Sequence, residues 1–131
     1  MKRVTGIGGI FFKSKDPDRL REWYREHLGI ESDGANGASF NWREADNPNQ
    51  EGMTAWSAFP ETTRYFDPST APFMINYRVA DLVWLVARLR EEGVTVDPKI
   101  EEHEYGKFGW IMDPEGNRIE LWEPPGPPKT S

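Results

Sequence analysis

The sequence predicts an α+β protein made of two repeated units, each a strand, a helix and three more strands, forming one curved mixed sheet around a cleft. Two observations support this prediction. Two segments have the apolar spacing of amphipathic helices, and short apolar or alternating segments between them are typical of strands. The helix-capping residues also recur: Asp16 and Asp81 lie 65 positions apart, and Gly29 and Gly93 lie 64 apart.

The first unit begins with a glycine-interrupted apolar strand at residues 4–13. Asp16 followed by Pro17 is a typical helix N-cap, and Gly29 is a typical C-terminal stop. Between them, one helix face carries Leu20, Trp23, Tyr24, His27 and Leu28. Strands are predicted at residues 38–43 and 53–59, on either side of a polar turn.

The second unit has the same order of elements. A strand is predicted at residues 73–79, and a helix runs from the Asp81 cap to Gly93. Residues 94–96 begin another strand. The last two strands, at residues 108–112 and 118–122, are joined by the strong turn sequence DPEGN.

These units divide the chain into one domain and a tail. Residues 1–125 are predicted as a single domain, with module one at about 4–60, a linker at 61–72 and module two at about 73–125. Tyr65 and Phe66 are unusual in a proline-rich linker, so we expect them to pack against another part of the molecule. Residues 126–131 contain no core-forming side chain and are predicted to be disordered.

The composition excludes several classes of function. The net charge is −6 and the basic residues form no stripe, so no nucleic-acid partner is expected. The 131 residues include no cysteine, which excludes disulfides, thiolate metal sites and cysteine nucleophiles. No apolar run approaches the roughly 18 residues of a membrane span, and the N-terminus lacks the apolar core of a signal peptide. We therefore expect no membrane partner and a cytoplasmic location.

The last strand, RIELW, carries one carboxylate among apolar residues. Strand alternation puts Glu120 and Trp122 on one face and Ile119 and Leu121 on the other. Because the aliphatic pair is suited to packing against helices, we expect Glu120 to face the cleft. Two interpretations remain open: Glu120 takes part in binding or catalysis, or it is a structural group satisfied by hydrogen bonds.

The motifs GIGGIFF before Asp16, WYREHLGI in the first helix and FGWIMDPEGNRIELWEP near the end resemble those of the vicinal-oxygen-chelate superfamily. This group contains glyoxalases, bleomycin resistance proteins and extradiol dioxygenases. The resemblance implies two βαβββ modules around a U-shaped cavity, with the fold commonly completed or doubled as a homodimer. It also implies two kinds of member: enzymes that hold a divalent metal in the cavity, and antibiotic-binding proteins that use the cavity without metal.

The resemblance also identifies the positions at which such a metal would be held. The first strand of each module places a ligand seven residues before the helix cap, which here gives Gly9 and Met74. The last strand places a ligand at Glu120, whose repeat partner, 64 positions earlier, is Trp56. One carboxylate does not hold a transition metal. We therefore predict no cofactor, the alternative being a site for zinc, manganese, iron or nickel rebuilt with other donors: Asn76, Glu102, His103 or Glu104.

The resulting hypothesis is a protein that binds a small apolar or aromatic molecule, neutral or cationic, in its cleft without a metal. The candidate ligand-binding residues are Trp42, Trp56, Phe59, Met74, Asn76, Tyr105, Trp110, Glu120 and Trp122. The first alternative is a lyase, isomerase or dioxygenase with a rebuilt metal site or with Glu120 as a general base. The second is an interaction module whose cleft is filled by its own side chains.

Overall fold

The computed structural model describes residues 2–33 and 37–126 of the chain. Within these residues, eight strands form one sheet, and two helices lie against one of its faces. The strands are β1 (Val4–Ser14), β2 (Ala38–Arg43), β3 (Glu51–Pro60), β4 (Phe73–Val79), β5 (Thr95–Val96), β6 (Glu101–His103), β7 (Gly106–Met112) and β8 (Arg118–Glu123). The helices are α1 (Pro17–Leu28) and α2 (Leu82–Glu91). The predicted disorder of the tail falls outside the described residues from position 127 onward.

The sheet joins two similar halves edge to edge. Its order is β2-β3-β1-β4-β8-β7-β5, and β6 pairs with the beginning of β7. The first strands of the two halves, β1 and β4, are antiparallel neighbours, and each runs parallel to the last strand of its own half, β3 or β8. The predicted fold class is therefore confirmed.

The halves differ in their smaller strands. In the described residues, the first half contributes three strands and the second contributes five. One of the additional strands, β6, lies in the acidic segment around His103, where no strand is predicted from the sequence. Its three residues instead pair with β7 at the edge of the sheet.

Both helices begin as the sequence predicts. The side chain of Asp16 accepts a hydrogen bond from the backbone N–H of Arg19, and the side chain of Asp81 does the same for Trp84. Gly29 ends α1 with a φ of 68°, a conformation that glycine adopts without steric cost. No helix in the described part of the chain is long and apolar enough to cross a membrane.

The main core lies between α2 and the sheet. Its fully buried residues are Val79, Leu82, Leu85, Val86 and Leu121. Ile111 and Ile119 pack against this cluster from the neighbouring strands. This packing fixes which side of β4, β7 and β8 is covered by a helix, and therefore which side chains project from the opposite face.

Two glycines of β1 make room for large side chains. A Cβ atom at Gly6 would lie 2.4 Å from the ring of Trp42, and one at Gly8 would lie 2.2 Å from Oδ1 of Asn76. Real Cβ atoms do not approach other atoms so closely. The glycine-rich sequence of β1 therefore creates space for Trp42 and Asn76. The strand pairs with β3 from Gly9 to Ser14 and with β4 along most of its length, and the pairing with β4 is irregular at Gly8.

Candidate ligand-binding cleft

Alternation along β8 assigns its side chains to two faces of the sheet. Ile119 and Leu121 pack toward α2, on what we call the helix face. Glu120 and Trp122 therefore project from the opposite face, which we call the cleft face. The structure thus gives Glu120 the orientation expected from the sequence.

Strand register arranges the side chains of the cleft face in rows across the sheet. Glu120 lies between Asn76 of β4 and Trp110 of β7. One row further along, Trp122 lies beside Arg78 of β4. Residues paired across neighbouring strands project to the same side, so these two rows are adjacent on the cleft face.

Glu120 is 2% exposed, and both of its oxygens are hydrogen-bonded. Asn76 Nδ2 donates to Oε1 over 2.6 Å, and Trp110 Nε1 donates to Oε2 over 3.0 Å. The hydroxyl of Tyr65 also donates to Oε2. Three hydrogen bonds to one carboxylate compensate for much of the cost of removing it from water.

All three donors are electrically neutral. None of the ion pairs in the described residues includes Glu120. Burial of the Tyr65 hydroxyl, together with the negative charge of Glu120 and their hydrogen bond, raises the pKa of Tyr65 well above its usual value of 10. Tyr65 therefore stays protonated and continues to donate.

The loop between β3 and β4 fills the space above Glu120. The ring of Tyr65 stacks on Phe59 at a centroid distance of 5.9 Å and meets Trp110 edge to face at 6.4 Å. Phe66 is 0% exposed, and the Lys13 ammonium lies 5.6 Å from its ring centroid. We call this filled space around Glu120, Asn76 and Trp110, closed by Tyr65 and Phe66, the inner chamber.

A second space on the cleft face is open. It has a volume of about 540 Å³ and lies next to the row that contains Arg78 and Trp122. The end of the β2–β3 hairpin and the residues that follow β8 complete its walls. The lining residues are Asn41, Gln50, Glu51, Gly52, Met53, Arg78, Trp122, Pro124, Pro125 and Gly126. We call this space the outer chamber.

Arg78 is held rigidly beside the outer chamber. It is 6% exposed, and its Nη1 donates to Thr5 Oγ1 over 2.6 Å. Its guanidinium lies 5.6 Å from the ring centroid of Trp42 and 3.5 Å from the carboxylate of Glu44, which is itself mostly buried. The outer chamber therefore contains a fixed positive group with a partner, in contrast to the unpaired negative group of the inner chamber.

The predicted ligand-binding residues separate into several groups. The inner chamber contains Phe59, Asn76, Trp110 and Glu120, and the outer chamber contains Trp122. The ring of Trp42 lies against the guanidinium of Arg78, and its indole N–H donates a hydrogen bond to Thr54 Oγ1. Met74 is 1% exposed and has no open face.

Trp56 and Tyr105 lie outside both chambers. Trp56 packs against Phe12 of β1 and Tyr24 of α1, which places it on the helix face. Repeat spacing predicts Trp56 as the counterpart of Glu120, but the two residues project from opposite faces of the sheet. Tyr105 is 61% exposed and stacks on His103 at the outer edge of the sheet.

Sequence reasoning did not include Tyr65 and Arg78 among the site residues. The signal for Tyr65 was present, because two adjacent aromatic residues are unusual in a polar, proline-rich loop. The signal for Arg78 was its position two residues after Asn76, which places both side chains on the same side of β4. Neither signal shows by itself which other residues the side chain contacts.

The residues at the expected metal positions do not fit a divalent metal. Gly9 offers no side chain, and a Cβ atom there would lie 2.6 Å from the ring of Phe11. Met74 offers a buried thioether, a poor ligand for a hard divalent cation. Both oxygens of Glu120 already accept hydrogen bonds from protein donors.

The donors proposed for a rebuilt site do not meet. Asn76 is in the inner chamber, whereas His103 is on the exposed edge strand β6, where it contacts Glu101 at 3.0 Å. Glu102 and Glu104 are exposed beside it. Across the described residues, no three acidic or histidine side chains form a group able to hold a metal ion.

The fold is similar to that of several solved structures. A methylmalonyl-CoA epimerase from Mycobacterium tuberculosis matches with a TM-score of 0.58 and 22% identity, covering 94% of this chain and 90% of that one. A variant of the Streptomyces coelicolor methylmalonyl-CoA epimerase, in complex with 2-nitronate-propionyl-CoA, matches with a TM-score of 0.65 and 17% identity, covering 94% and 99%. A structure of an NAD-dependent benzaldehyde dehydrogenase from Legionella pneumophila matches with a TM-score of 0.56 and 10% identity. The match covers 89% of this chain and 98% of that one. At these identities, the similarity establishes the fold alone.

The sequence matches a family model as well as a fold. No curated protein sequence matches the chain. The model of the Glyoxalase/Bleomycin resistance protein/Dioxygenase superfamily matches residues 6–121, which include both halves of the sheet and Glu120. The chain therefore belongs to the Glyoxalase/Bleomycin resistance protein/Dioxygenase superfamily.

Proposed function

We propose that this protein is a cytoplasmic, homodimeric binding protein that holds a small aromatic or apolar molecule in the outer chamber without a metal. The observation that carries the proposal is the difference in occupancy between the two chambers. The inner chamber is filled by the chain's own aromatic residues, whereas the outer chamber is open and has a volume of about 540 Å³. That volume lies within the range of roughly 300–1,000 Å³ that is usual for small-molecule sites.

The walls of the outer chamber support an aromatic or apolar ligand. Trp122, Met53 and Pro124 supply apolar surface, and Asn41 and Arg78 supply polar groups that could orient a ligand. The cationic ligand considered from the sequence depends on Glu120 as its anchor. Because Glu120 is 2% exposed and does not line the outer chamber, the proposal favours a neutral ligand there.

Calorimetric titration with neutral aromatic compounds such as indole tests this proposal. We expect saturable binding that is lost in Trp122→Ala and weakened in Met53→Arg, which narrows the outer chamber from its rim. Trp23→Ala is the matched control, because Trp23 lies on α1, is 50% exposed and lines neither chamber. Absence of saturable binding, or binding that persists in both outer-chamber variants, would contradict the proposal.

The absence of a resident metal is part of the proposal. It is supported by the donor set, since the expected positions offer a glycine, a thioether and a carboxylate that is already hydrogen-bonded. Elemental analysis of protein purified without chelators tests it. We expect zinc, manganese, iron and nickel each well below one equivalent, and a stoichiometric metal lost in Glu120→Ala would overturn this part of the proposal.

Dimerisation is proposed through the helix face. Between the two helices, this face carries three apolar side chains that are partly exposed: Ile7 is 38% exposed, Ile10 43% and Phe73 44%. Three neighbouring apolar side chains on central strands favour contact with a second copy of the chain. Light scattering is expected to give a dimer for the wild type and a monomer for Ile10→Lys, and a wild-type monomer at micromolar concentration would contradict this part.

A further inference from the structure

The inner chamber contains a buried carboxylate, Glu120, that makes no ion pair within the described residues. Buried carboxylates are normally paired with a positive group, because burial of an isolated charge is costly. Glu120 instead accepts hydrogen bonds from three neutral donors. A carboxylate held in this way is well suited to recognise a neutral hydrogen-bond donor.

The three donors are not equivalent. Asn76 and Trp110 are on strands flanking β8, so the sheet itself fixes their positions. Tyr65 comes from the loop between β3 and β4 and is 40% exposed. The sheet therefore builds the acceptor, and the loop supplies a phenol that occupies it.

The side chain of Tyr65 can rotate away from Glu120 without displacing the backbone of the loop. The loop is anchored separately by Phe66, which is fully buried, and by Pro72, whose carbonyl accepts a hydrogen bond from the backbone N–H of Lys13 over 2.7 Å. The other hydrogen bond made by Tyr65 is local, from its backbone N–H to Thr63 Oγ1 over 3.3 Å. A side-chain rotation toward solvent would therefore vacate a slot of the size of one phenol ring.

We propose that the inner chamber is a binding site for small phenols, and that Tyr65 is a built-in competitor for this site. A bound phenol donates its hydroxyl to Oε2 of Glu120 and places its ring against Phe59 and Trp110, as Tyr65 does. An aryl ether of the same shape leaves this oxygen with only the indole N–H of Trp110 as a donor, and an aryl carboxylate brings a second negative charge. Such a site therefore discriminates strongly between a ligand that carries the donor and one that lacks it.

The competition determines how binding responds to mutation. A phenol binds only the fraction of molecules in which Tyr65 has left, so its apparent affinity is reduced by that fraction. Tyr65→Phe keeps the ring but removes the hydroxyl, which weakens the internal competitor selectively. The loss of a hydrogen bond to a charged acceptor is expected to raise the affinity for a free phenol by about tenfold or more.

The experiment is a titration of the full chain with three matched compounds: 4-methylphenol, 4-methylanisole and benzoate. The indole N–H resonance of Trp110, assigned by its loss in Trp110→Phe, reports occupancy of the inner chamber. We expect 4-methylphenol to bind Tyr65→Phe about tenfold more tightly than the wild type, and the other two compounds to bind neither protein at this site. Tyr105→Phe is the control, because the Tyr105 hydroxyl makes no contact with Glu120 and its loss should leave the affinity unchanged.

Several results would overturn the proposal: equal affinity of wild type and Tyr65→Phe for 4-methylphenol, equal binding of 4-methylanisole, or no movement of the Trp110 resonance. Adding Glu120→Gln to Tyr65→Phe should remove the gain in affinity. If that double variant does not fold, the comparison of 4-methylphenol with 4-methylanisole tests the same hydrogen bond without a mutation. The Trp110 resonance reports the inner chamber, whereas the calorimetric titration with indole and Trp122→Ala reports the outer chamber, which separates a failure here from a failure of the outer-chamber proposal.

Discussion

The inner and outer chambers lie one residue row apart on the same face of the same sheet, yet they differ in charge and in access. The inner chamber has a buried carboxylate, Glu120, with neutral donors and a cover of aromatic rings. The outer chamber has a buried guanidinium, Arg78, with a carboxylate partner and an open mouth. The difference shows that a short loop decides which part of the cleft is accessible.

The largest expected effect concerns the cover of the inner chamber. Phe66→Ala removes a fully buried ring, and we expect it to lower the free energy of unfolding by about 3–5 kcal/mol. Denaturant unfolding measures this change. Phe40→Ala, at a ring that is 47% exposed on β2, is the control and should cost less than about 1 kcal/mol. Similar small losses in both variants would show that the loop does not seal the chamber.

The next effect concerns the charge of the outer chamber. Arg78→Met leaves Glu44 mostly buried without its cation, and we expect a loss of about 2 kcal/mol in the free energy of unfolding. A double-mutant cycle with Glu44→Gln isolates the interaction between the two side chains. If the two substitutions are additive, the pair is not coupled, and the contrast between a paired and an unpaired buried charge is lost.

The smallest effect distinguishes the chambers by pH. The pKa of Tyr65 is raised in the folded protein, so the folded state holds this proton more tightly than the unfolded state. The stability that Tyr65 contributes is therefore fully present below its unfolded pKa of about 10 and declines as the pH rises above that value. We expect the stability advantage of the wild type over Tyr65→Phe to shrink in this alkaline range. Unfolding curves at several pH values measure it, and a constant difference would contradict the buried hydrogen bond.

Much of the framework could be predicted from local sequence. The Asp16 and Asp81 caps, the two helices and the turn before β8 are properties of neighbouring residues, and the structure has them where expected. The apolar face predicted for α1 is only partly covered, since Trp23 and Leu28 are 50% and 60% exposed. Alternation in β8 also gave the orientation of Glu120. These features depend on interactions within a few residues, which a single sequence contains in full.

The contents of the cleft could not be predicted in the same way. The contact between Tyr65 and Glu120 joins residues 55 positions apart and depends on the path of an irregular loop. The position of Trp56 depends on the phase of β3 relative to β8, and a shift of one residue moves a side chain to the opposite face. Repeat spacing taken from helix caps and strand ends does not fix that phase.

The glycines of β1 have a consequence for how such a cleft changes over generations of sequence. At Gly8 the neighbouring strand uses the missing side chain as space, and the amide of Asn76 occupies it. A single added methyl group would push that amide away from Glu120 and remove one of the two hydrogen bonds that the sheet provides. The hydrogen bonds that hold Glu120 in the inner chamber therefore depend partly on Gly8 of β1, a residue that has no side chain to place there.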